Sequence, residues 1–310
     1  MNMQLFLEQL GQYSPTLLEK IGAGKTFYVD PTNGGATGGG LTPLAATTLL
    51  TTAKGKLTTG RNDQIKLVAG ATAVSLAAAF DWSLNCSHLH GEGSSSLINS
   101  RARIGQSANF SPFMTFSGYG NTFKDFYTMH GRGSATNVIG HYITGSRNKF
   151  ERVHFGGPMH ATEAGTATYR LIKIGPSAAE LEFVDCLFGI DTIPLTAAVS
   201  LMEFEAGGSC RIRFTNCTWL CAVNAAGGQG STFLKFNAGM GEGYIDFRGC
   251  KFINIGSAAL TLGIDGTGLG NLKLYFDNHP FAGVTNVCTA GTKANVFFPT
   301  SAGLLSTNPA

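Results

Sequence analysis

Two columns of apolar residues recur along this chain with one shared, drifting period, and a chain patterned in this way folds as stacked coils. Six segments repeat a common pattern: NTFKDFYT (121–128), NKFERVHF (148–155), LEFVDCLF (181–188), IRFTNCTW (212–219), IDFRGCKF (245–252) and LYFDNHPF (274–281). Their leading aromatics, Phe123, Phe150, Phe183, Phe214, Phe247 and Phe276, lie 27, 33, 31, 33 and 29 residues apart. Five of the six carry a second aromatic five residues later, at Phe155, Phe188, Trp219, Phe252 and Phe281. A separate column, Phe116, Ile143, Ile174, Phe204, Phe236 and Ile264, repeats at 27, 31, 30, 32 and 28 residues. Joint drift of both columns is what a solenoid permits, because insertions collect in its turns.

Each period reads as one coil of three short strands, lying about 4.8 Å from the next. The leading aromatic and the residues three and five positions on point inward. The middle one is Cys186, Cys217 or Cys250 in three segments, and a free Cys there acts as a small buried hydrophobe, with no disulfide required. Two positions after the leading aromatic stand Asp125, Asp185, Asn216, Gly249 and Asn278, residue types that tolerate a left-handed bend. The outward residue before that aromatic reads Lys149, Glu182, Arg213 and Asp246 on successive coils, and the other column gives Lys173, Glu203 and Lys235. Opposite charges on neighbouring strands favour pairing, so this alternation supports the register independently.

Helical patterning is confined to residues 1–22, where Leu5, Phe6, Leu10, Leu17, Leu18 and Ile21 are the apolar positions and Ser14-Pro15 breaks the run in two. The expected organisation is a helical attachment segment at 1–24, a parallel β-helix of eight to nine coils over 25–300, and a tail at 301–310. Charged residues make up only 13% of the chain against about 25% in ordinary soluble domains, which points to a surface covered by partners. A net charge of +3 gives no case for nucleic acid, and no run of about 20 apolar residues argues for a membrane span. The first residues lack the basic and apolar regions of an export signal. Seven Cys without framework spacing read as reduced thiols of a protein made in a cytoplasm.

The opening adds a further pattern: FYVDPTNGG (27–35), PLAATTLL (43–50), GRNDQIKLVAG (60–70), then SLNCSHLHGEG (83–93) and SLINSRARIG (96–105). Together with the coils, it resembles the pectate-lyase-like superfamily of right-handed parallel β-helices, in particular β-helical proteins of phage particles. The resemblance covers about residues 25–300 and implies an all-β solenoid, a homotrimer and a place in the virion. It is weak for function, because this architecture carries lyases, hydrolases, adhesins and inert virion parts.

The chemistry-bearing residues give one carboxylate pair to follow. Glu203 and Glu205 flank the inward Phe204, so both point outward, about 6.5–7 Å apart at the backbone, a spacing that suits an inverting glycoside hydrolase. The competing reading makes Glu203 the centre of a Lys173–Glu203–Lys235 ladder and Glu205 a solvated edge residue. Glu182 and Asp246 bracket Arg213, which pairs charges and holds carboxyl pKa values low, wrong for a general acid. Asp265 and Asp277 belong to different columns and make no Ca²⁺ cluster. His88 and His90 share one side of a strand near Glu92, without a third ligand in place for zinc. Cys217 and Cys221 have neither CxxC nor helical spacing, and the glycines of TNGGATGGG (32–40) lack the Lys-Ser/Thr of a phosphate loop. No cofactor or metal is therefore expected. The aromatic stripes are core, with Trp82 and Tyr127 left as candidates to face a ligand.

Three functions fit these expectations. The first is a non-enzymatic virion component, a capsid-decorating or head-spike protein seated on the major capsid protein. The second is a tailspike that cuts host surface polysaccharide through Glu203 and Glu205. The third is an adhesin that binds host glycan without cutting it.

Overall fold

The computed structural model describes residues 24–93, 101–207 and 210–299 and the two-residue strand at 305–306. The expected attachment segment at 1–24, apart from Gly24, and the tail at 301–310, apart from that strand, lie outside the described residues. From Thr26 onward the chain winds as a parallel β-solenoid with three sheets. The longest has eleven strands, beginning with Thr26–Val29, Gln64–Val68 and His88–Glu92 and continuing through each leading-aromatic segment. The second and third have eight strands each. Every ladder is parallel except the last, where Phe298 and Pro299 pair antiparallel with Ser306 and Leu305.

Both expected columns align in register. Phe150 pairs with Phe123 below and Phe183 above, followed by Phe214, Phe247 and Phe276. Ring centroids along this column are 5.0, 4.9, 4.7, 5.1 and 4.5 Å apart. That is the rise of one coil, so each ring sits flat on the next. A second stack runs Phe155, Phe188, Trp219, Phe252, Phe281 at 5.5, 4.6, 4.3 and 4.6 Å. Cys186, Cys217 and Cys250 are free and buried in the column between them. The phenylalanine column marks six consecutive coils, Phe123 to Phe276, and continues onto Phe298 at 4.7 Å, so the ring-stacked part of the solenoid is slightly shorter than the eight to nine coils expected. Before it, Ile65 and Leu89 occupy the same column, aliphatic residues that fill it without ring stacking.

The bends follow the residue types. Asp125, Asp185, Asn216 and Gly249 have φ of 62, 52, 53 and 61°, the left-handed conformation expected of them. Arg152 adopts it too, at 49°, although its type disfavours it. Its guanidinium reaches back to Asp125 on the coil below, Nε to Oδ1 at 2.6 Å and Nη2 to Oδ2 at 3.1 Å. Asn278, two positions after Phe276, is not left-handed, and there the second-sheet strand is only two residues, Phe281–Ala282.

Candidate functional site

The expected carboxylate pair lies on the outer face of the third sheet. Its strands Ile139–Ile143, Arg170–Ile174, Ser200–Phe204 and Thr232–Phe236 place Tyr142, Lys173, Glu203 and Lys235 in one outward column. The backbone register of the expected Lys173–Glu203–Lys235 ladder is therefore present, but the side chains pair differently. Glu203 is nearly buried and takes the guanidinium of Arg170, with Asn237 Nδ2 donating to its Oε1 at 3.2 Å. Lys173 Nζ turns instead to Glu205 Oε1, 2.6 Å away, and Tyr142 donates its hydroxyl to Glu205 Oε2 at 2.6 Å. Glu205 is thus no solvated edge residue. Burial pushes its carboxyl up, but the hydrogen bonds from Lys173 and Tyr142 and the Lys173 charge outweigh this and hold it below the ordinary value. The same contact works on Tyr142, whose phenol is pushed up to about 12 by burial and by Glu205. Sequence reasoning placed both carboxylates on the outer face but missed Arg170 and Tyr142. The signal for Tyr142 was present, since it occupies the outward position one coil before Lys173.

The long sheet carries a second, more open feature. Lys149, Glu182, Arg213 and Asp246 stand in register as expected, with Lys149 Nζ 3.8 Å from Glu182 and Arg213 Nε 3.4 Å from Asp246. Beside them lies a groove of about 360 Å³ lined by Glu180, Glu182, Arg211, Arg213 and Tyr244. Glu180 is gripped by Arg147 at 2.6 Å and Arg211 at 3.5 Å, while Tyr244 remains 42% exposed. An exposed ring between guanidinium and carboxylate groups is suited to stacking and hydrogen bonding with a polar, ring-shaped ligand.

Trp82 and Tyr127, the aromatics left as candidates to face a ligand, are both buried. Trp82 is fully buried, in register with Phe116, and donates its indole N–H to Ser87 Oγ at 3.0 Å. Tyr127 is also buried, its ring stacked on His154 at 4.3 Å. Trp82 belongs to an inward column, whereas Tyr127 stands in the outward column of Arg103 and His154 but is covered there, its hydroxyl 3.6 Å from Met159 Sδ, so neither ring is open to a ligand. His88 and His90 do share one face, rings stacked at 5.9 Å, but Lys66 and Lys124 flank His90 in register and oppose a bound cation. Cys217 and Cys221 are buried, and burial pushes the Cys221 thiol up to about 12, against thiolate ligation. Among the described residues no group of three or more His, Cys, Asp or Glu is placed to hold a metal ion. No helix among them is long and apolar enough to cross a membrane.

One buried carboxylate went unnoticed in the sequence. Glu163, in the short helix Ala161–Ala164, is fully buried and accepts from the backbone N–H groups of Arg132, Gly133 and Ser134 at 2.8, 2.9 and 3.0 Å. Asn137 Nδ2 adds a fourth bond at 3.0 Å. Gly133, at φ 82°, is what lets the backbone curl around the anion. Burial raises this carboxyl, but the convergent N–H donors and Asn137 outweigh it and hold it low. The arrangement fastens one loop to the next coil and leaves its donors occupied.

These features define a right-handed parallel β-helix with ion-paired outer faces. Neither family models nor curated proteins give a match to the sequence. Solved structures do: the chain is similar to pectate lyase Pel9A, with 14% identity and a TM-score of 0.52 over 88% of this chain and 78% of that one. It also aligns with a pectin methylesterase in complex with a hexasaccharide, at 13% identity and TM-score 0.45, over 83% and 90% of the two chains. A third is a tailspike protein of Acinetobacter baumannii bacteriophage Fri1, a capsular polysaccharide depolymerase, at 14% identity and TM-score 0.37, over 76% and 55%. The likeness to the pectate lyase, at 14% identity, speaks for the fold alone.

Proposed function

We propose that this chain is a non-enzymatic β-helical component of a phage particle, and specifically a capsid-decorating protein. In this reading it assembles as a homotrimer and seats residues 1–24 on the major capsid protein. The observation that carries the non-enzymatic part is the state of the carboxylate pair. An inverting hydrolase needs one protonated acid and one free base beside a water. Here Glu203 is tied to Arg170 and Asn237, and Glu205 to Lys173 and Tyr142, with the Glu205 carboxyl held low. Glu205 is therefore not poised to donate a proton to a leaving group, and the oxygens of Glu203 are taken up by Arg170 and Asn237. Low overall charge supports a surface that is covered in an assembly.

A second reading, a glycan-binding receptor-recognition protein, is favoured by the groove at Tyr244, whose exposed ring and charged rim suit a saccharide. Antibody labelling of native particles viewed by electron microscopy separates the two. Label spread over the head supports decoration. Label at the tail tip overturns it in favour of glycan recognition, and release of oligosaccharide that is lost in Glu203→Gln and Glu205→Gln overturns the non-enzymatic reading as well.

A further inference from the structure

Exposed apolar side chains gather where the solenoid begins. Of the six large ones exposed among the described residues, Leu41, Leu44 and Leu49 fall within one entry loop, at 58, 101 and 46%. The helix Leu50–Lys54 follows that loop and turns Leu50 and Ala53 into the core. Between this helix and the strand Phe80–Trp82 lies an open pocket of about 460 Å³. Leu57 and Phe80 give it apolar walls, and Lys54 and Asp81 give it one charge of each sign. Phe80–Trp82 is the terminal strand of the third sheet, with Met114–Phe116 on one edge and no described strand on the other. A free sheet edge beside an apolar pocket is a surface that proteins cover with a helix or loop.

The described chain starts beside this pocket. The backbone N–H groups of Lys25 and Thr58 donate to the two oxygens of one carboxylate, Asp63 Oδ1 and Oδ2, each at 2.7 Å. Arg61 grips the same carboxylate with Nε and Nη2, both at 2.7 Å, so the entry point is fixed. Thr58 directly follows Leu57 of the pocket wall. The chain ahead of Gly24 is 23 residues long, and its nearest large apolar residues are Ile21, Leu18 and Leu17. An extended chain advances at most about 3.6 Å per residue, which keeps Ile21 within about 11 Å of Gly24 and in reach of the pocket. Leu17, Leu18 and Ile21 are spaced as one face of a helix, and Gly22 stops that pattern. Glu19 and Lys20, between them, match Lys54 and Asp81 in charge.

We propose that residues 16–22 dock on their own chain, with Leu17, Leu18 and Ile21 filling the pocket and covering the free edge of Phe80–Trp82. The expected attachment segment is thereby divided at Ser14-Pro15. Its second half is a plug fixed to the solenoid, and its first half, with Leu5, Phe6 and Leu10, is left to meet a partner. The plug does not rest on either reading of the preceding section. Under capsid decoration it confines the contact with the capsid protein to residues ahead of Ser14-Pro15.

The test joins two positions of the full chain under mild oxidation, read by non-reducing electrophoresis and peptide mass spectrometry. Ile21→Cys with Thr51→Cys, on the pocket wall, is expected to form a disulfide within one chain at a rate independent of protein concentration. Ile21→Cys with Ala259→Cys, exposed far along the solenoid, stays unjoined. Hydrogen exchange gives a second measurement. Leu18→Asp with Ile21→Asp speeds exchange over residues 50–57 and 79–84 about tenfold or more, the effect of uncovering two aliphatic side chains, while Leu5→Asp with Phe6→Asp leaves it unchanged. Thermal unfolding of each variant verifies that the solenoid is intact. A disulfide between two chains makes the occupant a second copy and overturns the proposal. So does equal joining of Ile21→Cys to both positions, or exchange over residues 50–57 and 79–84 that ignores Leu18→Asp with Ile21→Asp or answers equally to both double variants.

Discussion

At the residue scale, the partners of the two carboxylates decide what this surface does. Backbone register put Glu203 beside Lys173, yet Arg170 and Lys173 divide the two carboxylates between them. The outward column was legible because strands alternate with period two. The choice of partner was not, because long side chains reach diagonal neighbours as easily as direct ones. Glu205→Gln removes an ion pair whose side chains are 22% and 24% exposed and is expected to cost about 1 kcal/mol by chemical denaturation at neutral pH. The Glu205 carboxyl is held low, so its contribution is present above the ordinary carboxylate range and is lost as pH falls through the lower folded value. Buried histidines act on the same side of neutrality. Burial presses His130 and His154 to about 4 and His141 to about 3. Below the ordinary histidine value the unfolded chain takes up protons that the folded chain refuses, so stability falls as pH drops from about 6.5 toward 4. His141 lies among the rings of Phe113, Phe116 and Phe155. His141→Phe is expected to make the acid limb of a Tm-against-pH curve shallower; an unchanged limb would show that His141 contributes nothing to it.

At the element scale, the coil is specified by its aromatic and by its bend. Phe183 is fully buried between Phe150 and Phe214, at 4.9 and 4.7 Å. Phe183→Ala therefore removes two stacked faces at once and is expected to destabilise by about 3–5 kcal/mol, measured by denaturant midpoint at constant m. The bend allows a finer comparison. Asn216 sits at φ 53°, where a residue with Cβ but no local hydrogen-bonding side chain costs about 1–2 kcal/mol. Asn216→Ala should lose that amount while Asn216→Gly stays within a few tenths; equal losses would place the role of Asn216 in its amide rather than its backbone. The same comparison exposes a limit of residue-type reasoning. Arg152 holds an equivalent bend against its propensity because Asp125, one coil below, fixes its guanidinium. That stabilisation comes from a residue 27 positions away, so local sequence could not announce it.

At the scale of the whole molecule, the solenoid makes stability a matter of neighbours. Each coil touches only those directly above and below, so intrinsic coil stability and coil–coil contacts add along the axis. This is also why the fold was legible: the same inward column must be filled every turn, and Phe123 to Phe276 declare it six times. The sites were less legible because outward positions are set by contacts between coils, as with the Glu163 carboxylate captured by three N–H groups some 30 residues earlier. Uneven filling of the columns predicts uneven stability. From Phe150 to Phe252 both aromatic stacks run unbroken and the Cys column fills the space between them. Toward the start, Ile65 and Leu89 replace the rings. Toward the end, the second sheet dwindles to Phe281–Ala282 and the long sheet closes on an antiparallel pair. Hydrogen exchange by mass spectrometry should therefore show greatest protection over the coils of residues 150–252, decreasing in steps of one coil toward both ends. Phe183→Ala should then lower protection most in its own coil and the two adjoining it. If protection is instead uniform and lost everywhere together in the variant, the molecule unfolds as one cooperative unit, and coil-by-coil additivity does not hold for it.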